Sequence, residues 1–388
     1  MNFDFADILI EVIESEASDL HLTAGSPPMV RKKGKLSALD YPRLSSQDTR
    51  EIVYSILNNE QRKRLEVDWQ IDLSYSVPNR ARFRVNAFFQ RASIGAVMRT
   101  IPTVIPALAD LGLPPVLEDL TKKPRGFVLV TGPTGSGKST TLAAMIDLIN
   151  KQRHEHILTI EDPIEFLHPH QNCIVNQREL GTDASSFAAG LKAALRQDPD
   201  VILVGEMRDL ETMATALTAA ETGHLVFATL HTQDTAQTVD RIVDAFPPEQ
   251  QHQVRVQLSI ALQGIVTQQL LPTRDGKGRC CATEVLVPTA GVRNLIREGK
   301  THQIYSALQT GAAHGMQTMD ASLVDLVRQG KIDQAMAERR SSTPAELKRL
   351  IGSNGGGGGM IGGMGGNGNG GMGSMQPTMG APAQGAMR

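Results

Sequence analysis

The chain has 388 residues, which is enough for two or three domains with sizeable hydrophobic cores. Its formal net charge of -2, with 21% charged residues, gives no overall attraction to nucleic acid, and the basic runs at 31–35 and 121–125 are neither repeated nor interleaved with aromatic side chains. Cys173, Cys280 and Cys281 lack the CxxC spacing of zinc and redox motifs, so we expect no nucleic-acid partner and reduced thiols, as in a cytosolic protein.

The first hundred residues have the pattern of an α+β domain. Apolar residues recur at helical spacing between Phe5 and Ile13 and predict an amphipathic first helix. DLHLTAG and FRVNAFFQ are typical of strands, and SSQDTREIVYSILNNEQRKRLE is predicted to be helical with a serine cap. The N-terminus carries acids where a secretory signal has basic residues, and no apolar run is long enough for a membrane span.

Composition changes divide the rest of the chain. Prolines interrupt PTVIPALADLGLPP, residues 102–115, which we interpret as a linker between domains. Beyond it, apolar strands such as GFVLVTG and DVILVGE alternate with helical segments to residue 350, which predicts an α/β domain with a largely parallel sheet. Residues 351–388 are rich in glycine and methionine and are predicted to be disordered, because they bury too little apolar area to offset chain entropy.

A phosphate-binding loop is the first motif that carries chemistry. GPTGSGKS fits the GxxxxGK[ST] pattern, directly after a predicted strand and before a helix. In such a loop backbone N–H groups surround the β-phosphate, Lys138 reaches the β- and γ-phosphates, and the Ser139 hydroxyl binds Mg²⁺. We therefore expect ATP and Mg²⁺ as ligands. The predicted nucleotide-binding residues are Gly132, Pro133, Thr134, Gly135, Ser136, Gly137, Lys138, Ser139 and Thr140.

Two predicted strands end in acids that suit nucleotide hydrolysis, which needs a carboxylate to position water. ILTIEDPIEF supplies Glu161 and Glu165, and DVILVGEMRD supplies Glu206. Gly205 stands where many P-loop enzymes have a metal-binding aspartate, so the metal is expected to depend on Ser139, Glu206, water and a further acid. We predict that Glu165 lies nearest the attacking water and Glu206 nearest the metal.

The segment GHLVFATLHT, residues 223–232, has a histidine at each end of an apolar run. A strand rises about 3.3 Å per residue, so roughly 23 Å separate the two rings and one metal ion does not bind both. His231 follows the strand, at the edge where α/β sheets bind ligands, and is predicted to sense the γ-phosphate. His224 precedes the strand and is predicted to lie away from that phosphate, near a surface between domains or subunits.

The motifs occur in an order that identifies a family. GPTGSGKST, ILTIEDPIEF, ILVGEMRD and AETGHLVFATLHT resemble the Walker A motif, Asp box, Walker B motif and His box of the secretion ATPase superfamily, hexameric motors of type IV pili and type II secretion. ASDLHLTAGSPPMVRKKGKL, RFRVNAFFQR and RNLIREGKTHQIYSALQTGAAHGMQTMD are similar to its pilus retraction branch. The last contains most of the AIRNLIRE motif associated with retraction, but Gly291 and Val292 replace its first two residues. The similarity covers about residues 1–350.

The resemblance implies a PAS-like domain at 1–101 joined to a RecA-like ATPase domain at 116–350, with six chains in a ring and each nucleotide between the two domains. Arg82 and Arg84 share one face of a strand; by family match, Arg84 and Arg99 are expected to complete the site against γ-phosphate charge, in their own chain or a neighbour. The resemblance also implies ATP-driven pilus retraction, an inner-membrane platform partner of the PilC kind, and a cytoplasmic protein peripheral to the inner membrane.

Other functions stay open at this point. An assembly ATPase of the PilB or GspE type normally has additional N-terminal domains and a four-cysteine zinc motif, which this sequence does not show. An accessory retraction paralogue of the PilU kind is harder to separate, although the RNLIRE stretch favours the retraction motor itself. A scaffold that binds ATP without hydrolysing it is a different class, and a DNA-translocating motor is disfavoured by the near-neutral charge.

Overall fold

The computed structural model describes residues 4–32, 34–77, 80–102 and 104–352. The predicted tail begins at residue 351, but Ile351 and Gly352 belong to the last helix of the structure. The rest of the predicted tail, residues 353–388, lies outside the described residues.

The N-terminal part is an antiparallel sheet with three helices. In chain order its elements are α1 (Phe5–Glu14), β1 (Asp19–Leu22), β2 (Met29–Lys32), β3 (Lys35–Ala38), α2 (Ser46–Ile56), α3 (Asn59–Asp68), β4 (Gln70–Val77), β5 (Ala81–Gln90) and β6 (Ser93–Ile101). The six strands lie in the order β3-β2-β1-β6-β5-β4, and all five pairings are antiparallel. The α+β architecture predicted for this part is therefore observed.

Local sequence explains the helices of this domain. The apolar face of α1 is buried through Phe5, Ile8, Leu9 and Val12, as its spacing predicted. The long predicted helical segment begins at the Ser45 cap but forms two helices rather than one. Asn58 makes a second capping box with Gln61, so a new helix starts there and α2 ends at Ile56.

The larger part of the chain contains a seven-stranded sheet and eleven α-helices within the described residues. In chain order its elements are α4 (Val116–Thr121), β7 (Gly126–Thr131), α5 (Lys138–Gln152), β8 (His156–Glu161), β9 (Ile174–Glu179), α6 (Phe187–Ala194), β10 (Val201–Val204), α7 (Leu210–Glu221), β11 (Leu225–Leu230), α8 (Thr235–Asp244), α9 (Pro248–Ala261), β12 (Leu262–Pro272), β13 (Arg279–Leu286), α10 (Ala290–Arg297), α11 (Ile304–Thr310), α12 (Met319–Arg328), α13 (Gln334–Arg340) and α14 (Pro344–Gly352). Short 3-10 helices lie at Leu108–Leu111, Thr301–Gln303 and Ala312–His314.

The seven-stranded sheet is mostly parallel, as the sequence predicted. Its strand order is β13-β12-β7-β11-β10-β8-β9, and only the pair β12–β13 is antiparallel. Strands β7, β10 and β11 are buried along their whole length, because separate hydrophobic clusters with helices cover the two faces of the sheet. The carboxyl ends of β7, β8, β10 and β11 therefore meet at one edge, which is where α/β sheets bind ligands.

Candidate functional site: a nucleotide cleft

The predicted phosphate-binding loop joins β7 to α5. Gly132 has φ +135°, and a Cβ atom on it would lie 2.4 Å from the backbone oxygen of Gln268 on β12, so only glycine fits. Gly137, with φ +93°, immediately precedes the first residue of α5. The loop thus presents its backbone N–H groups together with a helix N-terminus, and both favour a phosphate.

Lys138 lies inside this loop. Its ammonium group donates hydrogen bonds to the backbone oxygens of Gly132, at 2.8 Å, and Pro133, at 3.1 Å. Burial lowers the pKa of Lys138, and the charge of Glu206 opposes this shift. Both partners are neutral carbonyls, so no counter-ion from the described part of the chain is bonded to this cation, and a phosphate would supply one.

A cavity of about 450 Å³ opens beside the loop and brings most of the predicted site residues together. The predicted residues that line it are Thr134, Gly135, Gly137, Lys138, Ser139, Thr140, Glu161, Glu165, Glu206 and His231. Gly132, Pro133 and Ser136 belong to the loop but do not line the cavity. Pro102 and Arg279 also line it and were missed by sequence reasoning. Arg279 is the first residue of β13, and the pairing of β13 with β12 brings it to the cavity. No local sequence motif around Arg279 indicates this position.

Glu206 and His231 form a pair in this cavity. His231 Nε2 lies 3.0 Å from Glu206 Oε1, and Arg208 Nη2 lies 2.7 Å from Glu206 Oε2. The hydrogen bond from Arg208 and the charge of His231 lower the pKa of Glu206 against the effect of its burial, so the carboxylate is ionised. Sequence reasoning missed Arg208, although it comes two residues after Glu206 in the same motif.

Glu161 and Glu165 have different environments. Glu161 is buried at the end of β8, where it accepts hydrogen bonds from Thr159 Oγ1 at 2.6 Å, Gln177 Nε2 at 3.2 Å and the backbone N–H of Glu165 at 3.3 Å. Burial raises the pKa of Glu161. The Glu165 side chain is exposed on the following loop and faces the cavity. Glu161 therefore supports the loop that carries Glu165.

The cavity offers oxygen ligands suited to Mg²⁺, which prefers one or two carboxylates together with phosphate oxygens and water. Ser139 and Glu206 both line it and supply a hydroxyl and an ionised carboxylate. A Cβ on Gly205 would lie 3.2 Å from both Glu161 Cα and the backbone oxygen of Ile160, so a side chain there would require the backbone of β8 to shift by a few tenths of an ångström. The donor set fits the predicted ion, and the assignment of Ser139 and Glu206 as its protein ligands stays a prediction.

The two predicted arginines do not line this cavity in their own chain. Arg84 is exposed and lines a second cavity, of about 310 Å³, between the two domains. Arg99 pairs with Asp19, with Nε and Oδ1 2.9 Å apart. Their predicted contact with γ-phosphate charge therefore stays a prediction for a closed or assembled state.

The two histidines lie at opposite ends of β11, as the sequence predicted. His224 Nδ1 lies 3.0 Å from the backbone oxygen of Ala219, near the end of α7, and His224 does not line the cavity. Within the described ranges, no group of three or more His, Cys, Asp or Glu side chains could hold a metal ion. None of the helices described is both long enough and apolar enough to span a bilayer.

Comparison with known proteins identifies the family. A family model described as Type II/IV secretion system protein matches residues 4–339. The type IV pilus retraction ATPase PilT of Pseudomonas aeruginosa is 51% identical over 341 residues, which cover 88% of this chain and 99% of PilT. The type IV pilus ATPase PilU of the same organism is 44% identical over 352 residues, which cover 90% of this chain and 92% of PilU.

The fold agrees with these relatives. The crystal structure of the pilus retraction motor PilT with bound ADP superposes with a TM-score of 0.84 at 52% identity, covering 89% of this chain and 99% of that one. The antiparallel N-terminal sheet and the mixed, mainly parallel second sheet are the architecture of that structure. The chain is therefore an ATPase that belongs to the Type II/IV secretion system protein family, within its pilus retraction branch.

Proposed function

We propose that the protein is a homohexameric motor that couples ATP hydrolysis to retraction of a type IV pilus, the movement that underlies twitching motility. The observation that carries this proposal is the cavity at the carboxyl edge of the sheet. Lys138 and Glu165 line it together with the Glu206–His231 pair, whose Oε1 and Nε2 atoms are 3.0 Å apart. The 51% identity to PilT, over 88% of the chain, supports pilus retraction as the process that this hydrolysis drives.

Each residue of the cavity has a part in the proposed hydrolysis. The loop N–H groups and Lys138 bind the β- and γ-phosphates and offset charge that develops on the transferred group. Glu165 orients and deprotonates the attacking water. His231 contacts the γ-phosphate directly or through water and shares its proton with Glu206. Mg²⁺, held by Ser139 and Glu206, would neutralise phosphate charge and fix the phosphate oxygens.

The finer architecture is also part of the proposal. We assign a PAS-like domain to residues 1–101, a linker to 102–115 and a RecA-like domain to 116–350. Six chains form a ring with nucleotide between the domains, and Arg84 and Arg99 complete the site when the domains close or a neighbouring chain docks. The ring acts on an inner-membrane platform protein of the PilC kind, at the cytoplasmic face of the membrane.

Phosphate release by the purified protein tests the hydrolytic part. We expect release with ATP and Mg²⁺ and its loss when EDTA removes the metal, with recovery after Mg²⁺ is restored. A scaffold that only binds ATP predicts tight binding with no release, and that result would overturn the motor. Sedimentation with a nucleotide analogue tests the ring, since a stable monomer contradicts the proposed hexamer.

Deletion of the gene tests the biological part. We expect cells that still display pili but neither retract them nor spread by twitching, with both restored by the intact gene and not by a Lys138→Ala copy. Loss of the pili themselves would indicate an assembly motor instead. Retraction that persists in the deletion strain would indicate the accessory role suggested by the 44% identity to PilU.

A further inference from the structure

A buried carboxylate joins the two domains beside the nucleotide cavity. Glu179, the last residue of β9, is 3% exposed. Its Oε1 accepts a hydrogen bond from Ser74 Oγ at 2.6 Å, and its Oε2 accepts one from Arg82 Nη2 at 2.9 Å. Ser74 lies on β4 and Arg82 on β5, so both donors belong to the N-terminal domain. The ATPase domain thus depends on the N-terminal domain to pair this buried charge.

The same carboxylate also holds the loop that carries Glu165. Glu179 Oε2 accepts a hydrogen bond from the backbone N–H of Ile164 at 3.1 Å, and Glu161 Oε2 accepts one from the next N–H, that of Glu165, at 3.3 Å. Glu161 and Glu179 are direct partners in the β8–β9 register. Two acids at neighbouring strand ends therefore hold two consecutive N–H groups of one loop.

We propose that Glu179 is a positioning residue that couples the seating of the N-terminal domain to the placement of Glu165. A buried carboxylate that loses its arginine is costly to keep buried, so when the domains separate its side chain turns to water and releases the Ile164 N–H. The Glu165 loop is then held in place only while the N-terminal domain is seated. This inference rests on the proposed role of Glu165 in water activation.

The coupling is expected to act on hydrolysis and not on nucleotide binding. Glu179 and Ser74 do not line the nucleotide cavity, and neither does Arg82. The Lys138 ammonium is held by the backbone of its own loop, with no link to Glu179. Loss of the junction should therefore lower kcat, expressed per nucleotide-binding site counted by titration so that unfolded protein does not contribute, and leave the KM for ATP nearly unchanged.

Kinetics of Glu179→Gln, Arg82→Gln and the double variant test the proposal in the full chain. A lost charged hydrogen bond predicts a kcat reduced by about tenfold or more in each single variant. Because both residues act through one junction, the double variant should be no more than about twofold slower than the slower single variant. Unchanged kcat in Arg82→Gln, or single effects that multiply, would overturn the coupling.

Glu155→Gln is the matched control. Glu155 pairs with Arg153 at 2.5 Å, and the two side chains are 24% and 19% exposed, but this pair lies within the ATPase domain at the other end of β8. Its kcat should equal that of the parent. If it falls as far as that of Glu179→Gln, loss of any partly buried ion pair explains the effect and the proposal is wrong.

Hydrogen exchange separates this inference from the role of Glu165. A peptide covering residues 162–166 should exchange faster in Glu179→Gln and Arg82→Gln than in the parent and in Glu155→Gln. Equal exchange in all four proteins would refute the junction even if Glu165→Gln is inactive. Faster exchange together with an active Glu165→Gln would instead retain the junction and refute the proposed role of Glu165.

Discussion

The two edges of the seven-stranded sheet carry the same kinds of side chain in opposite circumstances. At the amino edge, His156 Nδ1 lies 3.0 Å from the backbone oxygen of Asp198, and Glu155 pairs with Arg153. At the carboxyl edge, His231 and Glu206 pair with each other and line a cavity of about 450 Å³. Histidine and glutamate alone therefore do not distinguish a functional edge from a structural one.

The two edges differ in whether their charged side chains already have an oppositely charged partner within the chain. At the amino edge, His156 contacts the Asp198 backbone and the Asn176 side chain, and the charge of Glu155 is compensated by Arg153. At the carboxyl edge the hydrogen bonds of the Lys138 ammonium within the described residues go to the carbonyls of its own loop, and a helix N-terminus lies beside it. An anionic ligand would supply the counter-charge for Lys138 and for the helix N-terminus. Substitutions at this edge should therefore affect catalysis far more than stability.

The largest expected effect is that of Lys138→Ala. Loss of the one cation in the GPTGSGKS sequence should reduce phosphate release to background, because the loop N–H groups that remain carry only partial positive charge. Lys151→Ala is the control, since Lys151 lies on the same helix, α5, but its 52% exposed side chain pairs with Asp147. A Lys138→Ala protein with parental phosphate release would contradict the proposed site.

The acids of the carboxyl edge should come next. Glu165→Gln and Glu206→Gln are each expected to lower kcat by about a hundredfold or more, the usual contribution of a general base or a lost ionic contact. Titration with a fluorescent ATP analogue should show that nucleotide still binds, and Glu155→Gln should match the parent in both assays. Full activity in both site variants would show that neither acid acts on water or metal.

The sequence predicted the parts of this site that short motifs encode. The phosphate-binding loop needs glycines and Lys138 within eight residues, and Glu206 comes two residues after the buried strand β10, so both were found. Glu179 was not, because its partner Arg82 is 97 residues away and no local pattern relates them. Arg279 was missed for the same reason, since only the pairing of β12 with β13 carries it to the cavity.

Helix boundaries show the same limit on a smaller scale. The Ser45 cap was recognised from its position before a helical pattern, but Asn58 was not recognised as a second cap inside that pattern. Polar residues suit both helix surfaces and caps, and only the backbone decides between them. The order of strands in the sheets was likewise beyond reach, because it depends on contacts between distant segments.

His231→Ala should have a smaller effect than loss of either acid. The imidazole is 45% exposed and bonds Glu206 at 3.0 Å, so its removal loosens Glu206 and deletes the proposed γ-phosphate contact without removing charge from the loop. We expect kcat to fall by about tenfold, the value of one hydrogen bond to a charged group. Single-turnover measurement checks this, and an unchanged rate would remove His231 from the site.

The smallest expected effect on turnover is that of His224→Ala, at the other end of the same strand. Among the described residues, His224 Nδ1 contacts the Ala219 backbone oxygen, at 3.0 Å, and the Thr222 hydroxyl, at 3.5 Å, and neither partner lines the cavity. We expect its single-turnover rate to stay within about twofold of the parent, because the contacts it loses are local and partly exposed. If His224 lies at a surface between subunits, the substitution should instead weaken cooperativity in ATP concentration and slow twitching. A single-turnover defect equal to that of His231→Ala would show that both ends of β11 serve one site, and the contrast between the two edges would fail.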